Sequence, residues 1–162
     1  MSAQGRVVIR AVAVALSAAG VVAIAVAQTP RGASVAEVIT ARQEGFKKLG
    51  AAFKIIHNEL ANSSPDAAKI AAAAAQIKAS TGVIESWFPA GSGPQSGLKT
   101  HAKPEIWTDV SGFAATRAAY IRQAEKSARQ LADPREQAAW KDSSTALGQA
   151  CKDCHDSYRV KG

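Results

Sequence analysis

Four stretches of this chain carry apolar residues three or four apart, and each stretch opens on a helix-starting signal. The first begins at Ser34-Val35-Ala36-Glu37, where a hydroxyl and a carboxylate three apart can satisfy each other's free amides. It reaches about Asn62 and places Ile39, Phe46, Leu49, Phe53, Ile56 and Leu60 on one line. Ser64-Pro65 starts the second, with serine as cap and proline at the first helical position. Its line runs Ile70, Ala74, Ile77, Ile84 and Phe88, stopping near Phe88-Pro89. PAGSGPQSGLKTHAK then reads as a long loop. Pro104 opens the third stretch, with Ile106, Val110, Phe113, Tyr120 and Leu131, which reaches about Ala132. Asp133-Pro134 caps the fourth, with Trp140, Leu147, Cys151, Cys154 and Tyr158. A single apolar stripe on a long helix is stable only against neighbours. Short connections at 62–64 and 132–134 make sequential helices antiparallel. The expected fold is all-α: an antiparallel four-helix bundle with a long crossover loop between helices two and three.

The residues before Ser34 follow a different pattern. Arg6 and Arg10 precede an apolar, alanine-rich run from Ala11 to Val26, and small residues surround a cut after Ala27. That is the layout of an export signal, and the run is shorter than the ~20 residues of a spanning helix. We therefore expect a cleaved signal peptide over 1–27 and one domain over 28–162, with no stable membrane insertion after cleavage. The whole chain carries 20 Lys and Arg against 13 Asp and Glu, a net +7. Cleavage removes Arg6 and Arg10, leaving 18 against 13, a net +5. Such a surplus suits an acidic partner, but basic residues alternate with acids along the helices and form no dense patch. Nucleic-acid binding is not expected.

The two cysteines of the chain both fall in CKDCH, as Cys151 and Cys154, with His155 next. A zinc site needs four ligands, and the only histidines outside this cluster are His57 and His101, far apart in sequence. A redox dithiol belongs at the start of a helix beside a strand, and no strand is predicted. A disulfide between adjacent helical turns would constrain almost nothing. C-x-x-C-H is the attachment motif of c-type haem. On a helix, positions i, i+3 and i+4 share a face. Cys151 and Cys154 could then each form a thioether, while His155 offers a nitrogen to the iron. One covalent haem c is the cofactor expected.

The other side of the iron is less determined. Met1, the sole methionine, leaves with the signal. His57 could supply a second imidazole, but it lies off the apolar line of its helix, and His101 sits in the polar loop. Four residues before Phe46 on the same line stands Arg42. A cation there is costly unless it meets an anion. It could snorkel out at the end of the bundle, or its guanidinium fork could take the haem propionates. Phe46, one turn deeper, could be ordinary core or could cover the iron.

With ARQEGFKKLG in the first helix, SWFPAGSG at the turn, KPEIW opening the third helix and CKDCHDSYR at the last, the chain resembles cytochrome c′, the class II c-type cytochromes of bacteria. The resemblance covers nearly all of the mature chain. It implies a four-helix bundle, commonly an antiparallel homodimer, in the periplasm. It implies pentacoordinate high-spin iron that binds NO and, more weakly, CO, with electron transfer to an unidentified redox partner as a second role. Such a protein is a binder and carrier rather than an enzyme. Carried over by position, Cys151 and Cys154 are the thioether sites and His155 the proximal ligand. Arg42 matches the propionate-binding arginine, Gln43 a further haem contact, and Phe46 the distal position. Arg159 matches the arginine beside the proximal ligand, and Thr100 with His101 a stretch near the propionates. Low-spin relatives have methionine where Phe46 stands. Two rival readings remain: a low-spin, six-coordinate electron carrier, and a haem-free helical protein of redox or structural role.

Overall fold

Ser34 opens the first helix through the reciprocal bonds that its sequence predicts. Its Oγ accepts from the Glu37 N–H at 3.3 Å, and the Glu37 carboxylate accepts from the Ser34 N–H at 2.7 Å. The helix that follows, α1, spans Val35–Ala61. This is a computed structural model, and it describes residues 32–161. The signal peptide expected over 1–27 lies outside the described residues.

The second helix, α2, spans Ala67–Thr81 and is capped by Asp66 rather than Ser64. An Asp66 carboxylate oxygen accepts from the Ala68 and Lys69 N–H groups at 2.9 and 3.1 Å. A carboxylate also offers charge to the positive end of the helix, which a hydroxyl does not. Glu59 accepts from the Asp66 N–H at 3.1 Å and from the Lys69 ammonium at 3.2 Å, lacing the turn to α1. The helix stops at Thr81, well short of the expected Phe88. Gly82 and the β-branched Val83 interrupt it, and a single 3-10 turn, Ile84–Trp87, carries Ile84 into the core.

The third stretch is broken where its sequence shows no break. A short α3, Glu105–Thr108, precedes α4, Val110–Ala132. Asp109, with φ −103° and ψ 64°, stands between them. One of its carboxylate oxygens accepts from the Gly112 N–H at 3.0 Å, and the other from the Tyr158 hydroxyl at 2.9 Å. A side chain at Gly112 would put its Cβ 2.1 Å from that carboxylate. The break also turns Val110 away from the core line expected for it, leaving it 66% exposed.

After a 3-10 turn at Pro134–Ala139, capped by Asp133, α5 spans Trp140–Tyr158. Helix α1 packs on α2, α2 on α4 and α4 on α5, while α1 and α5 meet along a much slimmer seam. Ile56, Ile70, Leu131, Leu147 and Trp140 are fully buried where the helices meet. Each contributes about 1.5–3 kcal/mol by leaving water. A second cluster of Ile106, Phe113 and Tyr158, joined by Phe88 and Trp107, fills the end under the crossover loop. The fold is the expected all-α four-helix bundle, with α3 as an added turn.

Candidate haem site

The last helix carries Cys151, Cys154 and His155 on one face, as their spacing requires. The cysteines are partly buried and unpaired with each other. Burial pushes the Cys154 thiol up to about 11, with the Cys151 sulfur adding to the effect. Burial also raises Cys151. Both are therefore protonated thiols at neutral pH, unlike the acidic thiol of a redox dithiol. Among the described residues no group of three or more His, Cys, Asp or Glu converges as a metal cage.

His155 is exposed overall, yet its ring stands 6.3 Å from that of Phe46, centroid to centroid, at 68°. Desolvation lowers its pKa first, the Arg159 charge lowers it further, and Asp156 opposes both. Phe46 is partly buried, edge-on to Trp87 at 5.0 Å and tilted against Phe88 at 6.2 Å. Gly45 makes this packing possible, since a Cβ there would lie 2.5 Å from the Trp87 ring. Further along the seam Phe53 lies over Gly148, its Cζ 3.0 Å from where a Cβ would stand. His57 and His101 are both exposed.

Arg42 is only 3% exposed, so it does not snorkel out of the bundle. One terminal nitrogen donates to the Trp87 carbonyl at 3.1 Å and to Ser92 Oγ at 3.0 Å. The other donates to the Ser92 carbonyl at 2.9 Å and Thr100 Oγ1 at 3.0 Å. The guanidinium carbon lies 5.0 Å from the Phe88 ring centroid and 5.9 Å from that of Trp107. Every one of these acceptors is neutral. Burial accordingly lowers the Arg42 pKa. Beside it, exposed Gln43 donates to the Lys99 carbonyl at 3.1 Å. Thr100 thus joins Arg42 through its side chain. His101 and Arg159 enter through the backbone instead. The His101 carbonyl accepts from the Val160 N–H at 2.8 Å, and Arg159 is bridged to Ala102.

These features suit a haem. A large apolar ring would find Phe46, Phe53 and the cysteine face along the slim seam between α1 and α5. Its carboxylates would find a buried cation that has no anionic partner among the described residues. Spacing alone left Ser92, Trp107 and the Trp87 carbonyl unassigned. A glycine-rich loop gives no periodicity from which such contacts can be read.

A helical bundle with C-x-x-C-H on its last helix has the architecture of a c-type cytochrome. The sequence model of the family described as Cytochrome C' matches residues 37–159. Cytochrome c' of Allochromatium vinosum is 30% identical over 151 residues, covering 91% of this chain and 97% of its own length. A solved cytochrome c' described by a ligand-controlled dimer dissociation superposes with TM-score 0.73 at 29% identity, covering 80% of this chain and 99% of that one. At 24% identity and TM-score 0.70, a variant of the Alcaligenes xylosoxidans protein solved in the ferrous state with bound NO shares the fold, covering 80% of this chain and 98% of its own. The chain belongs to the cytochrome c′ family, whose members carry covalently attached haem c.

Proposed function

We propose that Cys151 and Cys154 hold the haem by thioethers, that His155 is the iron's only protein ligand, and that the protein binds NO and, more weakly, CO. When bound, the haem supplies an iron that takes up diatomic gases and exchanges one electron. The protein's part is positioning and exclusion. Helix α5 sets the two thiols and the imidazole on one face. Phe46, whose ring faces that of His155, would cover the iron with a group that cannot coordinate. Arg42, near Thr100 and Gln43, would offer its uncompensated charge to the haem carboxylates, and Arg159 places a cation beside His155. The observation that carries this reading is the Phe46 ring facing His155 at 6.3 Å; among the described residues there is no methionine, and His57 and His101 are exposed. The ferrous NO-bound fold neighbour supports the choice of ligand.

The protein then works in the periplasm, after cleavage near Ala27, as a gas binder and electron carrier rather than an enzyme. Among the described residues no helix is long and apolar enough to cross a membrane. A homodimer is part of the reading, supported by the ligand-controlled dimer of the structural neighbour. Its redox partner is unidentified; a net positive mature chain is compatible with one of acidic surface.

The visible spectrum of the purified ferric and ferrous protein, with and without NO, is the direct test. We expect a high-spin, five-coordinate iron and a large change on adding NO. A low-spin, six-coordinate spectrum would favour the pure electron carrier instead. Mass spectrometry of denatured protein should retain one haem, and Cys151→Ala with Cys154→Ala should lose it.

A further inference from the structure

A helix ends with four carbonyls that have no partner within it. In α5 those four belong to the turn that carries His155. The His155 carbonyl accepts from the Arg159 N–H at 3.0 Å. The other three are all taken by Lys103. Its ammonium donates to the Asp156 carbonyl at 2.9 Å and to the Ser157 carbonyl at 3.1 Å. Its own backbone N–H donates to the Tyr158 carbonyl at 3.0 Å. A cation at this position also meets the negative end of the helix.

Lys103 can do this because of what surrounds it in sequence. Pro104 disfavours helical backbone at the residue before it, and Lys103 stays outside the helix that follows, its backbone bonded to the tail. The pairing continues with the Val160 N–H donating to the His101 carbonyl at 2.8 Å and with the Ala102–Arg159 bridge. The segment is itself anchored. Thr100 Oγ1 accepts from the Ala102 N–H at 3.2 Å and from Arg42 at 3.0 Å. A continuous set of bonds therefore runs from buried Arg42 on α1, through residues 100–103, to the last turn of α5.

We infer that Lys103 is a positioning residue for His155, holding the terminal turn of α5 so that the imidazole keeps one angle to the iron. The inference rests on the assignment of His155 as iron ligand. Terminal helical turns fray readily. Without this clamp the turn would open and the imidazole would sample several orientations.

The test uses the haem-loaded protein in its ferrous state. Lys103→Met keeps the length and apolar stem but removes the ammonium donors, while Lys103→Arg keeps both charge and donors. Two quantities are read: the iron–histidine stretching band in the resonance Raman spectrum, and hydrogen exchange at the Arg159 and Val160 amides. Lys103→Met should shift and broaden the band and speed exchange at both amides at least tenfold. Lys103→Arg should restore both. If Lys103→Met does not fold, Lys103→Gln, which keeps a neutral amide with two N–H donors but loses the charge, should give the same changes at smaller size. Faster exchange with an unchanged band would reduce Lys103 to a helix cap and overturn the inference, as would unchanged exchange. A wild-type protein with no iron–histidine band overturns the His155 assignment itself, which separates the two failures.

Discussion

Arg42 is where the polar contacts of the site converge, and its removal should cost more than one bond. Arg42→Ala would strip partners from Ser92, which is fully buried, and from the Trp87 carbonyl. A loss of about 3 kcal/mol is expected, since hydrogen bonds to a charged group are worth roughly 1.5–3 kcal/mol each and buried partners would be left unpaired. Arg42→Lys should recover part of it, keeping the charge but losing the fork. Urea unfolding measures both, and a wild-type midpoint for the alanine variant would contradict this account. Phe46 gives the residue-scale prediction about ligands. Phe46→Ala should raise the CO association rate tenfold or more, since about 1.4 kcal/mol of barrier is worth a factor of ten. Flash photolysis reads that rate, and an unchanged rate would mean that Phe46 does not obstruct the iron. Arg42 was visible in the sequence as a charge on an apolar line. Of its partners, Thr100 was named only through the family resemblance, while Ser92 and the Trp87 carbonyl were not legible, because they lie 45 to 50 residues away and carry no pattern that points back to α1.

Among the elements, Asp109 does two tasks at once, capping α4 and receiving the Tyr158 hydroxyl of α5. Asp109→Ala should lose both, at about 1–3 kcal/mol from the cap and the hydrogen bond together. Tyr158→Phe should lose only the second. A double-mutant cycle in thermal unfolding should show the two changes coupled; strict additivity would mean that the bond contributes nothing. The helices themselves were legible, because capping boxes and apolar stripes are local properties of the chain. Their interruptions were less so. Thr81 ends α2 although Ile84 and Phe88 continue its apolar line, since a 3-10 turn can also deliver Ile84 to the core. Asp109 reads as a mid-helix residue until Tyr158 arrives from 49 residues away to engage it. The same is true of the cofactor face. CKDCH declared it, and the stripe with the family resemblance pointed to Phe46 as its cover, but spacing left core packing as an alternative; packing then brings the Phe46 ring to 6.3 Å from that of His155.

For the molecule as a whole, acid and alkali should act through different groups. Asp133 is held down to about 2 by its hydrogen bonds with Arg135, chiefly the one from the guanidinium, against an ordinary 3.8. A depressed carboxylate stabilises the fold above its unfolded pKa and ceases to as pH falls, here between about 3.8 and 2. Glu37, Glu59 and Asp66, each lowered first by a backbone hydrogen bond, add in the same direction. Tyr120 is the reverse case. Burial pushes its hydroxyl up to about 12 from 10, while its bond to Ser80 at 2.9 Å opposes the rise. Its stabilisation is complete below pH 10 and should disappear between 10 and about 12, on the order of 2 kcal/mol. Tyr120→Phe should flatten that alkaline decline in unfolding midpoints, at a cost of about 1 kcal/mol at neutral pH for the lost bond. An equally steep decline in the variant would assign it to other groups. The slim seam between α1 and α5 bears on the order of events during folding. Three of the four helix pairs join neighbours in sequence, whereas this one joins the two ends of the domain. Closing the longest loop costs the most chain entropy, so the seam should form after the transition state. Phe53→Leu at the seam should then speed unfolding and leave the refolding rate unchanged, while Ile77→Val in α2 slows refolding. A late-closing seam keeps the CKDCH turn reachable while the rest of the bundle assembles, and stopped-flow refolding that slows with Phe53→Leu would exclude that sequence of steps.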